Sequence, residues 1–316
     1  MKRYTCFRRV LALLLLTLML VAMPGCSKYR VEMSNSRQSE TMLTLGETTV
    51  AYEVVYFFYH TYLEAYPTES FDARMARVKS GVCELYAIFD VCRDYGIDPY
   101  GETVNDALNE TVKEMIDEFP TRRDYIDRIT EQHMTDTVSR LLLRSYLCQE
   151  MLMEELEGEL ENDAVLDAFL AREDVLRVLS LTLNFGTQTE AMRRRAEEIV
   201  ALLAEAEDTD EAFMEIARRK ATMEDEHTYI TVSQWYSLCG EGAPAPEKGT
   251  ISAPLYEGET CVMMRVSDKD ADYARAHRDE ITPGYLECLI ADRAAELAAA
   301  LQQTAAYDAL TEDSFA

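Results

Sequence analysis

The stretch VLRVLSLTLNF, residues 175–185, decides the fold, because its β-branched and leucine residues predict a strand in a chain that otherwise shows helical periodicity. Two helical runs follow, 190–205 and 211–220. Three further candidate strands, separated by glycine and proline, close the segment: TYITVSQWY (228–236), TISAPLY (250–256) and TCVMMRVS (260–267). The predicted order β-α-α-β-β-β describes a small α/β module that ends near Asp268.

Helical periodicity dominates the sequence on both sides of this module. After a short strand at 42–45, Thr48 or Thr49 is predicted to cap a helix over 50–66. Further helices are predicted over 73–95, from Thr103 to 119, over 134–158, and over 271–306 with an interruption at Pro283 and Gly284. The expected fold class is therefore α+β: a mostly helical body, an inserted small α/β domain and a returning C-terminal helix that packs back on the body.

The predicted helix at 50–66 is rich in aromatic residues, and its apolar side chains cover more than one stripe. Such a helix is typically buried between neighbours, which predicts core aromatics. A surface that contacts a polypeptide client is the alternative, because aromatic rings also suit adaptable protein contacts. The candidate client-binding residues are Tyr52, Tyr56, Phe57, Tyr59 and Tyr62 of this helix, with Trp235 and Tyr236 of the module.

The charge balance argues against nucleic acid as a partner. The chain holds 31 basic and 58 acidic residues, for a formal net charge of −27. A body this anionic is repelled by phosphate backbones. An acidic surface is otherwise common among soluble proteins, so it indicates no specific partner.

Residues 1–25 have the features of a secretory signal peptide. A basic start to Arg9 precedes a leucine-rich run at 10–23, which is too short to span a bilayer comfortably. Gly25 before Cys26 resembles a bacterial lipobox, whose cysteine is lipidated and becomes the new N-terminus. An ordinary cleaved signal and an uncleaved anchor are the alternatives. The preferred interpretation is an extracytoplasmic lipoprotein, anchored to the cell membrane through Cys26, with 26–40 as a flexible tether.

The cysteines indicate neither a metal site nor a disulfide framework. None of the eight stands in a CxxC pair. Cys83 and Cys92 fall on one predicted helix, about 13 Å apart along its axis, too far for a disulfide. Cys239 and Cys261 lie in one small domain and could pair, although buried free thiols are the preferred interpretation.

The histidines show no paired spacing that would hold a metal ion. No HExxH pattern occurs, and the four histidines are scattered at His60, His133, His227 and His277. Each is expected to be a surface histidine or one whose hydrogen bonds are satisfied internally. No GxSxG, Walker or GxGxxG pattern occurs either, so the sequence predicts no metal and no cofactor.

Several segments resemble the SurA and PrsA type of extracytoplasmic foldases. LTLGETTVAYEVVYFFYHTYLEA (43–65) resembles the opening of that family, and DYGIDPYGETVNDALNETVKEMIDEF (94–119) resembles its second helical unit. The α/β module is similar to a parvulin peptidyl-prolyl isomerase domain. LRVLSLTL (176–183) stands at its first strand, AFMEIARRKA (212–221) at its second helix, and KGTISAPLYEGETCVMMRVSDKD (248–270) at its closing strand pair.

The resemblance implies a chaperone or foldase that binds unfolded exported polypeptides. Parvulin chemistry needs polar groups around a twisted X-Pro bond, whose rotation barrier is about 20 kcal/mol. The family's two histidine positions fall on Val178 and Val262, whose side chains form no hydrogen bonds. The helix and loop that form the family's proline pocket are shortened after Tyr236. The parvulin-like domain is therefore expected to be catalytically inactive, with no catalytic residues.

Two other functions remain open at this point. One is an active peptidyl-prolyl cis-trans isomerase in which Tyr229, Thr231, Ser233 or Cys261 takes over the polar role. The other is a structural or adhesive surface lipoprotein. The expected division of the chain is a signal peptide at 1–25, a tether at 26–40, a SurA-N-like helical chaperone domain at 41–170, a parvulin-like domain at 171–268, and a C-terminal helix at 269–316.

Overall fold

The structure is a computed structural model that describes residues 35–240 and 242–315. The described chain divides into two compact units: unit 1 is 35–151 with 290–315, and unit 2 is 152–289. The predicted signal peptide, the lipidation site Cys26 and residues 26–34 of the predicted tether lie outside the described residues. Within those residues, no helix has both the length and the apolarity needed to cross a bilayer.

Unit 1 begins with a β-hairpin and continues as a series of helices. Its first part contains α1 (Asn35–Gln38), β1 (Thr41–Leu45), β2 (Thr48–Ala51), α2 (Tyr52–Ala65), α3 (Phe71–Asp94), α4 (Glu102–Asp117), α5 (Arg122–Glu131) and most of α6 (Asp136–Glu159). Gly46 makes the hairpin turn with φ of 61°, a conformation that favours glycine. Thr121 caps α5 by accepting from the Asp124 N–H, the usual role of a threonine at a helix N-terminus.

Unit 2 contains the α/β module and the helices that flank it. Its elements are the end of α6, then α7 (Asp163–Ala171), β3 (Val175–Asn184), α8 (Thr189–Glu205), α9 (Asp210–Lys220), β4 (Met223–Thr231), α10 (Val232–Cys239), β5 (Leu255–Glu257), β6 (Thr260–Ser267), α11 (Ala271–Ala276) and the first part of α12 (Arg278–Ala300). The mostly helical α+β class expected from the sequence is confirmed.

The end of the chain returns to unit 1. It forms the rest of α12, β7 (Leu301–Gln303), α13 (Ala305–Asp308) and a 3₁₀ turn at Glu312–Phe315. Strand β7 pairs antiparallel with β1, on the side opposite β2. Further contacts fix the returning segment, because the Arg293 guanidinium lies 2.6 Å from the Asp94 carboxylate on α3 and the Tyr307 hydroxyl donates to the Met75 carbonyl at 3.4 Å.

Two predicted helix starts are wrong. Thr48 and Thr49 lie in β2, opposite Leu45 and Thr44 of β1, so α2 begins at Tyr52 without a side-chain cap. Thr48 and Thr49 pair with β1 through backbone hydrogen bonds, and their extended conformation prevents them from starting the helix. Helix α4 likewise begins one residue before Thr103.

The interruption predicted at Pro283 and Gly284 is absent, since α12 runs through both residues. Pro283 lies in the second turn, where it removes one helical hydrogen bond. Gly284 has a packing role, because a Cβ at this position would lie 2.7 Å from the Tyr229 carbonyl oxygen on β4. The glycine therefore permits close contact between helix and strand.

The sheet of unit 2 has the antiparallel order β4-β3-β6-β5. Alternate residues point to opposite faces, so β3 and β6 each supply two cores. Helices α8 and α9 cover one face, which we call the helix face. Its buried cluster is Leu179, Leu181, Leu183, Met192, Ala196, Ile199, Phe213, Met214, Ala217, Cys261 and Met263. The other face, which we call the open face, carries the cluster Leu176, Val178, Ile230, Trp235, Met264 and Val266.

The second strand predicted for the module is instead a strand followed by a helix. The run TYITVSQWY ends β4 at Thr231 and then forms α10, which changes the order to β-α-α-β-α-β-β. A capping box starts α10: the Thr231 hydroxyl accepts from the Gln234 N–H, and the Gln234 side chain accepts from the Thr231 N–H. The alternating pattern of this run favours a strand, but the capping box begins a helix in the middle of it.

Candidate functional site

The open face of the sheet carries the two valines that the sequence resemblance aligns with the parvulin histidines. Strand β3 places Val178, Ser180 and Thr182 on it, and β6 places Val262, Met264 and Val266 there, since directly opposite residues of an antiparallel pair share a face. Val178 is opposite Val266, Ser180 is opposite Met264, and Thr182 is opposite Val262. These two strands therefore present apolar groups and hydroxyls at the six positions.

One end of the open face is covered. Trp235 of α10 is fully buried, packs with Val178, Met264 and Val266, and donates its indole N–H to the Pro244 carbonyl at 3.2 Å. Tyr236 and Cys239 pack against the same cluster and are partly buried. Helix α10 thus closes this end of the face with an anchored tryptophan.

The other end of the open face is accessible. Met223 of β4, Thr182 of β3, Val262 of β6 and Leu255 of β5 are successive register partners, so they form one row across all four strands. Met223 is 45% exposed, and the other three are partly exposed. We call these four residues the open row. It is a mainly apolar strip in which a flexible methionine stands at the β4 edge.

Val178 and Val262 do not face each other across the strands. They lie on the same face, two register rows apart, and Val178 is only 1% exposed. The polar groups of a conventional isomerase site therefore have no counterpart in these two side chains. Val262, by contrast, is part of the accessible open row.

The four polar residues considered as replacements do not come together. Cys261 is buried on the helix face. The Tyr229 hydroxyl accepts from the Asp270 N–H at 3.1 Å, and its ring packs with Phe169. Thr231 is occupied as the cap of α10, and Ser233 is exposed on that helix. The sheet separates Cys261 from Cys239, so the pairing of these two cysteines is wrong and both are free thiols.

A buried arginine lies at the margin of the helix face. The Arg265 side chain is 3% exposed, and its Nε donates to Asp210 at 2.8 Å. Its Nη1 donates to Asp208 at 2.6 Å and to the Gly249 carbonyl at 3.0 Å. The Ser267 hydroxyl also donates to Asp210. Although burial raises the pKa of the Asp210 carboxyl, the hydrogen bonds from Ser267 and Arg265 outweigh it and lower that pKa.

A cavity of about 210 Å³ adjoins this arginine, with Leu203, Phe213 and Ile251 among its lining residues. Arg265 contributes to the wall, but two carboxylates already neutralise its charge. The cavity is therefore a mixed polar and apolar recess beside a satisfied ion pair.

The aromatic residues of α2 are mostly core. Tyr52, Tyr56, Phe57 and Tyr59 are at most 8% exposed. Phe315 of the returning segment stacks on Tyr59 with ring centroids 3.8 Å apart, and the Tyr52 hydroxyl donates to the Ser314 carbonyl. In this structure these side chains, like the buried Trp235, serve the core instead of presenting a surface to a client. Of the candidate client-binding residues, Tyr62 and Tyr236 keep partial exposure.

Two histidines that the sequence separates are stacked in the same core. The rings of His60 and His133 lie 3.9 Å apart and are nearly parallel, at 9°. His60 donates from Nε2 to the Phe315 carbonyl at 3.1 Å. Burial, together with the neighbouring His133, lowers the pKa of His60 to about 4, and burial also lowers the pKa of His133. The two lie 73 positions apart in the sequence, so no spacing rule could have paired them.

The neutral forms of both histidines are the ones that this core accepts. His133 has a φ of 59°, just after α5, and its buried Nδ1 has no hydrogen-bond partner in the described structure. Burial and the neighbouring Tyr52 raise the pKa of the Tyr56 hydroxyl to about 12. These residues hold the returning segment within unit 1, because Tyr52, Tyr56 and Tyr59 pack on the Phe315 ring and His60 donates to the Phe315 carbonyl.

Comparison with known proteins gives similarity among solved structures only. No protein-family model matches the chain. No curated protein matches its sequence. The solved structures that it resembles include foldases and chaperones of the kind that the sequence resembles.

Three of these structures illustrate the sequence identities, coverages and TM-scores of the matches. The foldase protein PrsA of Lactococcus lactis is 9% identical, with 88% of this chain and 99% of that chain covered at a TM-score of 0.26. PrsA of Streptococcus pneumoniae is 14% identical, with coverage of 87% and 97% at a TM-score of 0.27. A SurA-like chaperone of Campylobacter jejuni is 12% identical, with coverage of 82% and 96% at a TM-score of 0.20. At such low TM-scores we draw no conclusion on function from these superpositions.

Proposed function

We propose that this protein is an extracytoplasmic chaperone that binds unfolded exported polypeptides through its α/β module without catalysing prolyl isomerisation. The sequence resemblance to the SurA and PrsA foldases supports the class of function. The proposal includes a lipid anchor at Cys26, motivated by the lipobox-like sequence before it. Labelling of cells with a fatty acid tests the anchor: label on the wild-type chain and none on Cys26→Ser supports it, and an unlabelled wild-type chain overturns it.

The observation that carries the binding proposal is the open row. Its four side chains lie in one row across the sheet, from Met223 on one edge strand to Leu255 on the other, and present mainly apolar groups to solvent. An extended apolar segment of a client would bury Met223 and Leu255 together. Full burial of one such side chain contributes about 1.5–3 kcal/mol, so a few contacts suffice for weak and reversible binding.

A charge placed in the open row should weaken client binding. Met223→Asp is expected to raise the concentration needed to suppress aggregation of a denatured client by about tenfold, because it removes one buried contact and places a carboxylate against apolar surface. The measurement is light scattering of the client at increasing chaperone concentrations.

Val200→Asp provides the matched control. Val200 is 43% exposed on α8, close to the 45% of Met223, but α8 packs on the helix face. The control should suppress aggregation as well as the wild type does. Equal activity of Met223→Asp and the wild type, or equal losses in both variants, would contradict the assignment of binding to the open row.

Isomerase activity should be at background. Val178 and Val262 offer no hydrogen bond to a twisted X-Pro bond, and the four alternative polar groups are dispersed. A protease-coupled assay on a proline-containing peptide measures this rate. A rate clearly above the uncatalysed one, and proportional to protein concentration, would contradict this proposal and show that the protein is an active peptidyl-prolyl isomerase.

A surface lipoprotein with a structural or adhesive role is the remaining alternative. The two functions differ in the partner that the open row would bind. Such a protein would recognise one folded partner, whereas a chaperone suppresses aggregation of several unrelated denatured clients. The light-scattering experiment with three clients of different sequence therefore separates the two functions.

A further inference from the structure

Two thiols in unit 1 meet across a pair of helices. Cys92 of α3 and Cys148 of α6 are both completely buried. The Cys92 Sγ donates to the Cys148 carbonyl oxygen at 3.7 Å. No spacing rule in the sequence pairs them, since they belong to different predicted helices.

The two thiols differ in acidity. The hydrogen bond to Cys148 and burial raise the pKa of Cys92. A hydrogen bond from the Cys92 side chain lowers the pKa of Cys148, because it stabilises the Cys148 thiolate. The positive charges of Arg144 and Arg93 lower that pKa further. Burial instead raises the pKa of Cys83. Within the folded unit, Cys148 is therefore the more acidic thiol of the pair.

We propose that Cys92 and Cys148 form a disulfide bond that joins α3 to α6 when the chain folds in an oxidising compartment. This inference rests on the export that is part of the proposed function, because disulfides persist outside the cytoplasm and are rare inside it. The contact between the Cys92 sulfur and the Cys148 backbone places the two cysteines next to each other across α3 and α6, as a disulfide bond requires.

The chemistry is thiol–disulfide exchange with an external disulfide, either that of a dithiol–disulfide oxidase or oxidised glutathione. The thiolate of one of the two cysteines attacks one sulfur of the oxidant, whose S–S bond breaks and whose other sulfur leaves as a thiolate. The thiolate of the other cysteine then attacks the chain's sulfur in the mixed disulfide and releases the second thiolate. The chain loses two protons and two electrons, and the oxidant becomes two thiols.

Burial sets the order of events. Because neither side chain is exposed in the folded unit, the exchange takes place before α3 and α6 close on each other. The bond then closes a loop between positions 56 residues apart, which restricts the unfolded chain. Once formed, the buried disulfide is shielded from reductants.

The test uses the full chain refolded from the reduced, denatured state with oxidised and reduced glutathione. Excess alkylating reagent is added under denaturing conditions without reductant, and peptides are mapped by mass spectrometry. The expected result is one linked peptide pair that contains Cys92 and Cys148, with Cys83 alkylated. Alkylation of both Cys92 and Cys148, or a linkage between another pair, would overturn the inference.

Two variants complete the experiment. Cys92→Ala should leave Cys148 alkylated and lower the thermal midpoint by about 10 °C relative to the oxidised wild type. Cys83→Ala, which removes another buried thiol from α3, should retain the Cys92–Cys148 link. Loss of the link with Cys83→Ala would show that Cys83 takes part in it, and would overturn the pairing. None of these results depends on client binding, so failure here leaves the chaperone proposal intact.

Discussion

Replacement of Arg265 by alanine is expected to destabilise unit 2 by about 3 kcal/mol, the largest effect that we expect from a single substitution in the α/β module. The side chain is 3% exposed and forms three charged or polar contacts, with Asp208, Asp210 and the Gly249 carbonyl. Removal of one partner of a buried ion pair typically costs about 3–5 kcal/mol.

The lower end of this range applies because the two carboxylates are not buried equally. Asp208 is 81% exposed on its side chain and regains water at once, whereas Asp210 is 37% exposed. Most of the cost therefore comes from Asp210 and from the Gly249 carbonyl.

The measurement is urea unfolding followed by tryptophan fluorescence. The chain has a single tryptophan, Trp235, which is buried in unit 2, so the signal reports on that unit. Arg219→Ala is the matched control, since it removes an exposed ion pair with Glu215 and should change stability by less than about 1 kcal/mol. A similar small change for Arg265→Ala would mean that the buried ion pair does not stabilise the module.

Element types were predictable from the sequence where the period was long and uniform. The strand at 175–185 and the helical runs at 190–205 and 211–220 correspond to β3, α8 and α9. Each combines a clear period with residues of matching propensity, so local preference and burial favour the same structure. The predicted caps at 48–49 and the predicted strand at α10 are wrong because tertiary pairing and a capping box outweigh short patterns.

The candidate site was only partly predictable. The sequence predicts Val178 and Val262 at strand positions, and both lie on one face of the sheet. It could not predict that Met223 and Leu255 complete a row with Val262, because strand register depends on pairing partners and on the irregularity between Val178 and Ser180.

The stacked histidines and the facing thiols were equally beyond sequence reasoning. His60 and His133, and Cys92 and Cys148, come from helices whose crossing no local pattern encodes. Burial of the aromatic side chains of α2, in contrast, follows from an apolar surface wider than one stripe, as the core interpretation of that helix expected.

Unit 1 should lose about 3 kcal/mol of stability when the pH falls from above 6.5 to about 4, through His60 alone. The pKa of His60 is about 4 in the folded chain, against an ordinary histidine pKa of 6.5, and burial is the main cause. A difference of this size between folded and unfolded states corresponds to about 3 kcal/mol.

The direction follows from where the protons bind. Below pH 6.5 the unfolded chain protonates His60, while the folded chain keeps it neutral, so acid favours unfolding. The stabilisation is complete above pH 6.5, declines as the pH falls, and stops changing below about 4, where the folded state is protonated as well. His133 should add to the effect, because burial lowers its pKa too, although Glu64 opposes that shift.

His60→Gln isolates this contribution. The glutamine amide can still donate to the Phe315 carbonyl but does not titrate, so the variant should lose less stability on acidification than the wild type. The free energy of unfolding is measured by urea unfolding with far-ultraviolet circular dichroism at about pH 7.5 and about pH 4.5. The loss between the two pH values is then compared for the variant and the wild type. His277→Gln, in unit 2, is the control and should follow the wild type.

Protonation of carboxyl groups also destabilises the fold in acid, but this effect is the same in the wild type and in His60→Gln. Hydrogen bonds lower the pKa values of Asp174 and Asp210, so their stabilisation is lost as the pH falls through those lowered values. These residues are unchanged in His60→Gln, and their contribution cancels when the variant is compared with the wild type. A parallel loss of stability in the two chains would therefore show that His60 is accessible to protons in the folded state, and that the stacked pair does not exclude charge from the core.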